Sequence, residues 1–166
     1  MIKKISILLG SSVLLFGFWL MGLEKVYSWI LYYGASALLS PFSSVTPVLK
    51  SEKMHPDFCV AVGKEGYCME LELFGLSVVV MLSWYILLIF LQRNKAMVIT
   101  AFKHIAIFYL LQVLTMTTLA LYDFGSFFQQ ANNALRQSFI IFALLFIIWD
   151  NYMYRIFTFS PEKENL

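Results

Sequence analysis

From Leu73 to Gln92 the chain runs 20 residues without a charged side chain, and from Ile5 to Leu23 it runs another 19. A helix of that length reaches about 30 Å, the thickness of a bilayer's hydrocarbon core. Such runs constrain the chain more than any motif, because backbone polar groups in lipid must be satisfied within the segment itself. A third uncharged run, Ile105 to Tyr122, ends at Asp123, and a last apolar stretch, Gln137 to Phe157, contains one acid, Asp150, and one base, Arg155. The expected fold is therefore an all-α membrane protein, a single integral domain over residues 1–166 built on a four-transmembrane-helix bundle. Its expected spans are about 5–23, 71–92, 98–122 and 137–157.

Composition points the same way. The chain is 60% apolar and 13% charged, against about 45–50% and about 25% in soluble domains. Its 12 Lys+Arg and 10 Asp+Glu residues are too few for intrinsic disorder or a nucleic-acid footprint. The expected partners are the lipid bilayer and other membrane proteins, with no nucleic acid. The first apolar run follows Lys3 and Lys4 and exceeds the core of a secretory signal, about 7–15 residues, so it reads as a signal-anchor helix.

The segment 26–42 (VYSWILYYGASALLSPF) is apolar but carries Ser28, Trp29, Tyr32, Tyr33, Gly34, Ser36 and Ser40. Lys and Arg in short loops stay on the cytoplasmic side. With four spans, seven cations (Lys3, Lys4, Arg93, Lys95, Lys103, Arg155, Lys163) fall inside and five (Lys25, Lys50, Lys53, Lys64, Arg136) outside. Four of those five lie in the long segment before the second span, and a fifth span would even the count at six to six. The expected topology is thus four spans with both termini cytoplasmic, in a bacterial inner (cell) membrane. Segment 26–42 becomes an interfacial helix with its Trp and Tyr at headgroup level, stopped by Pro41 and Pro47.

The outer loop, 43–68, ends in Phe58-Cys59-Val60-Ala61-Val62-Gly63-Lys64-Glu65-Gly66-Tyr67-Cys68. A two-residue turn at Gly63-Lys64 pairs Val62 with Glu65 and, counting outward, Cys59 with Cys68. The alternation of ladder pairs makes the cysteines a non-hydrogen-bonded pair, with Cα atoms about 4.5 Å apart. A disulfide tolerates that spacing, and the outer side of the membrane is oxidising. A small hairpin closed by Cys59–Cys68 is expected.

Polar groups inside a span are costly and mark functional candidates. Lys103 and His104 near the inner end of the third span, and Asp150 near the inner end of the fourth, lie at similar depth in antiparallel helices. Asp150 is expected to pair with Lys103 or His104, extended by Asn151 and Arg155. In the third span His104, Phe108, Gln112, Thr115, Thr118 and Tyr122 recur at spacings of three and four and form one polar seam, the pattern of helix–helix glue. At the outer rim Arg136 is placed to bridge to Asp123 or to Glu70 and Glu72.

The sequence has no phosphate-binding Gly loop, Cys-x-x-Cys pair or His-Glu-x-x-His helix. No metal and no cofactor is expected. In layout the chain resembles the exosortase/archaeosortase membrane transpeptidases, where an anchor helix and an amphipathic stretch lead to Glu-Gly-Cys at the outer start of a helix. Glu65-Gly66-Tyr67-Cys68 is similar to that motif with one extra residue. The family's Asn-x-x-Arg and His positions are taken here by Gln112-x-x-Thr115 and by Gln129-Gln130. The resemblance implies a degenerate, inactive member, in which Cys68 alone carries over. Claudin-like tetraspan proteins also place two cysteines in an outer hairpin, but their Gly-Leu-Trp signature is absent.

The leading expectation is a non-enzymatic assembly or scaffold subunit of a cell-envelope complex. One alternative is a membrane cysteine transpeptidase or protease, with Cys68 as nucleophile, Arg136 at the oxyanion and His55 as base. Another is a lipid- or quinone-handling subunit that uses Gln112 and Thr115.

Overall fold

The computed structural model describes residues 2–51, 55–62, 65–92 and 95–154. It contains four helices long and apolar enough to cross a membrane. Helix α1 (Ile2–Phe18) passes through a wide π-type turn, Trp19–Leu23, into α2 (Glu24–Leu39). Strands β1 (Val45–Lys50), β2 (Asp57–Val62) and β3 (Glu65–Glu70) follow, then α3 (Glu72–Gln92), α4 (Lys95–Thr118), a 3-10 turn (Leu119–Phe124) and α5 (Ser126–Tyr154).

Helix α3 is apolar on every face, as a helix surrounded by protein should be. It packs against α1, α4 and α5. Phe74 of α3, Phe108 of α4 and Phe139 of α5 meet at the centre, with ring centroids 4.5 Å and 5.6 Å from Phe139. All three are buried. On the other side of α3 the indole of Trp19 lies directly over Gly75, which has no Cβ to hold it off. That contact ties the C-terminal end of α1 to the N-terminal end of α3, so the two helices run antiparallel.

Segment 26–42 falls in helix α2, which is set off from α1 by a kink. Gly22 has φ 129°, a left-handed conformation that a residue with a Cβ resists. There the helix axis breaks. Beyond it α2 packs along the outer half of α4: the Tyr109 hydroxyl donates to the Ile30 carbonyl at 3.2 Å, and Leu38 and Leu39 share a cavity wall with Thr117, Thr118 and Leu121. One face of α2 is therefore covered by protein. Its other face leaves Val26, Trp29, Ile30, Tyr33 and Leu38 exposed.

The outer loop holds more structure than a hairpin. Cys59 pairs with Cys68, Val60 with Tyr67, Ala61 with Gly66 and Val62 with Glu65, the register expected from the two-residue turn. The turn residues, 63 and 64, lie outside the described set. The cysteines form a disulfide with Cα atoms 4.0 Å apart. In addition β1 pairs antiparallel with β2, from Val45↔Val62 to Lys50↔Asp57, giving a three-stranded sheet in the order β1-β2-β3. Pro47 within β1 is tolerable because β1 is an edge strand.

Candidate functional site

Three polar constellations tie the bundle together, and a fourth arrangement leaves a polar cavity open.

The seam on α4 faces protein. Gln112 is fully buried; its Nε2 donates to the Phe74 carbonyl at 3.1 Å and to Ser77 Oγ at 3.3 Å, while its Oε1 accepts from the Tyr27 hydroxyl at 2.5 Å. One amide thus joins α2, α3 and α4. A turn further out, Asn132 of α5 donates from Nδ2 to the Thr115 carbonyl at 3.0 Å and to Thr118 Oγ1 at 2.8 Å. Thr115 and Thr118 also donate to carbonyls of α4 itself, but the bonds of Gln112 and Asn132 cross between helices, which is how small polar residues bind helices in lipid. Sequence spacing identified Gln112, Thr115 and Thr118; Tyr27 and Asn132 went unread because they lie on other helices.

Near the inner end, His104 Nδ1 lies 2.7 Å from the Tyr85 hydroxyl and 3.5 Å from Asp150 Oδ2. The first is a hydrogen bond. The second is within ion-pair range but lacks hydrogen-bond geometry, so both Asp150 oxygens, with the side chain 1% exposed, have no hydrogen-bond partner. The expected partnership of Asp150 is therefore with His104. Lys103 is exposed, because one residue along a helix is a turn of about 100° and carries it away from α5. Asn151 is half-buried, and Arg155 lies outside the described residues. The cluster gains instead Tyr85, and one turn inward the Tyr154 hydroxyl donates to Thr100 Oγ1 at 3.3 Å.

At the N-terminal end of α2, Glu24 is buried and its Oε1 meets His55 Nδ1 at 3.0 Å. This hydrogen bond holds the imidazole above the ordinary histidine range; partial desolvation opposes it, and the charges of Glu24, Glu72 and Glu70 add to it. His55 is thus committed to Glu24.

The open site is a cavity of about 270 Å³ between the disulfide hairpin, the 3-10 turn after α4 and the first part of α5, lined by Tyr67, Cys68, Met69, Leu119, Tyr122, Asn132, Asn133 and Arg136. The rings of Tyr67 and Tyr122 pack at 4.8 Å on one wall. Arg136 enters from α5, and its Nε is buried without a hydrogen-bond partner. Among the described residues no bridge joins Arg136 to Glu70 or Glu72, contrary to expectation: Glu70 is exposed on β3, while the guanidinium is turned toward the cavity. The side chain of Asp123 lies outside the described set. Cys68 and Arg136, two of the three residues of the transpeptidase alternative, do share this cavity. Cys68 has its sulfur in the disulfide, and His55 is not among the lining residues.

Among the described residues no three His, Cys, Asp or Glu side chains come together as metal ligands would. No protein-family profile matches the chain, and neither the characterised proteins nor the solved structures contain a match.

Proposed function

We propose that this chain is a non-catalytic, multi-pass subunit that holds together a larger complex of the bacterial cell envelope. It would be seated in the inner membrane on an exosortase-like four-helix bundle, with both termini in the cytoplasm. The observation that carries this reading is the Cys59–Cys68 disulfide, which takes up both cysteine sulfurs of the chain. A thiol nucleophile is the one catalytic group that the family resemblance transfers, and here it serves as a structural crosslink. The polar constellations at Gln112, Asn132 and His104 are spent on holding helices together. The uncovered apolar face of α2, with Trp29 packed against Tyr33 at 5.7 Å, supports contact with another membrane protein.

The test is maleimide mass-tagging of the membrane-embedded protein before and after reduction, followed by purification in mild detergent. Tagging that requires reductant, together with a stoichiometric partner recovered in repeated preparations, is the expected result. A homogeneous monomer would overturn the proposal. So would a Cys68 that tags freely while Cys59 does not.

One observation favours a second reading. Because Cys68 and Arg136 line the same cavity, a cysteine transpeptidase acting on C-terminal sorting signals has two of its groups adjacent. Under that reading Cys68→Ala abolishes processing and Cys59→Ala does not; equal effects of both variants return the site to a staple. The lipid- or quinone-handling reading at Gln112 and Thr115 has less support, since the amide of Gln112 is fully engaged by its neighbours.

A further inference from the structure

We propose that the cavity at Arg136 is a phosphate site, occupied by the headgroup of a phospholipid from the outer leaflet. The first ground is chemical. A guanidinium carries donors in a planar fork suited to phosphate, and burying one of its N–H groups without an acceptor is costly. Arg136 Nε is in that state, and among the described residues no acidic side chain lines the cavity. Asn132 is not a second donor, because its Nδ2 is already spent on Thr115 and Thr118; its role is to fix α5 against α4 so that Arg136 faces inward. Asn133, exposed beside it and lining the cavity, supplies the second donor.

The second ground is depth. From Arg136 to Tyr154 α5 rises about 27 Å at about 1.5 Å per residue, close to the roughly 30 Å of a hydrocarbon core. The cavity therefore stands at the outer edge of the apolar layer, where lipid phosphates lie. The third ground is the surface below it. Ile140, Leu144 and Ile148 follow Arg136 at intervals of four on α5 and are 37%, 46% and 63% exposed. Residues four apart share a helix face, so an apolar track leads down from the cavity, as an acyl chain attached to the phosphate requires. A free phosphate ion would use the cavity and ignore the track. The proposal is independent of the assembly role, since it concerns only this chain and its lipid.

The experiment is native mass spectrometry of the full chain in detergent, titrated with phosphatidylglycerol, with diacylglycerol of the same chains, and with inorganic phosphate. Wild type is expected to retain phosphatidylglycerol, Arg136→Gln to lose about tenfold or more in apparent affinity, and diacylglycerol to bind both proteins equally weakly. Arg136→Lys, which keeps the charge and loses the fork, should fall between them. Equal retention of phosphatidylglycerol by wild type and Arg136→Gln would overturn the proposal, as would retention of diacylglycerol as strong as that of the phospholipid. Complete displacement of the lipid by millimolar phosphate would overturn the lipid assignment in favour of the free ion. Should Arg136→Gln fail to form the disulfide, Asn133→Ala, on an exposed position, serves instead: a loss of about threefold is expected, and no loss refutes the site.

Discussion

Gln112 shows what a single residue does in this bundle. It is a polar side chain with no exposed surface, and three groups on two other helices depend on it. Gln112→Leu keeps the volume and removes all three bonds, leaving the Tyr27 hydroxyl without its acceptor; a loss of about 1–3 kcal/mol is expected. Thermal unfolding in detergent checks it, and a change smaller than that of an exposed control such as Leu110→Ala would refute it. His55 makes a different prediction. Its pKa is raised in the folded protein by Glu24, so the pairing stabilises the fold fully below about pH 6.5, the ordinary histidine value, and that contribution is lost as pH rises through the raised pKa. Melting temperatures of wild type and His55→Asn should differ most in mild acid and converge in mild alkali. A gap that stays constant across that range would refute the pairing. Spacing along one helix was enough to read Gln112, whereas Tyr85 and Glu24 were missed, since nothing local distinguishes a tyrosine that reaches a histidine on the next helix from one that faces lipid.

At the scale of elements, the break between α1 and α2 matters most, because it divides one continuous apolar stretch, Lys4–Leu39, into two helices, the second packed along α4. Gly22→Ala forces a Cβ onto φ 129° and is expected to cost about 1–3 kcal/mol, or to straighten the helix and separate Tyr27 from Gln112. Gly10→Ala, in mid-helix with nothing within 4 Å of the new Cβ, should be neutral or stabilise by up to about 1 kcal/mol. Equal effects of the two substitutions on thermal unfolding would show that the glycine break is incidental. The hairpin register was legible because a two-residue turn and the ladder's alternation leave little freedom. β1 was not, since Val45–Lys50 carries a proline and its only reason to be a strand is the free edge of β2.

The whole molecule places the sheet, the disulfide and the start of α3 at one end, and Ile2 and Tyr154 at the other. Reporters fused at either terminus should therefore share a compartment, and a tag inserted between β1 and β2 should report the opposite one. Termini on opposite sides would exclude the four-span topology. The four helices long and apolar enough to cross a membrane follow from run length, because a fixed rise per residue sets how many residues a bilayer's thickness needs. The disulfide and the polar face of α4 likewise follow from short-range periodicity in a strand and a helix. Which helix each polar group meets, how far α2 climbs along α4, and the orientation that leaves Arg136 facing a cavity depend on how helices rotate and cross. Those choices are set by side chains far apart in the chain, such as Trp19 on Gly75 and Phe74 on Phe139, and no local pattern encodes them.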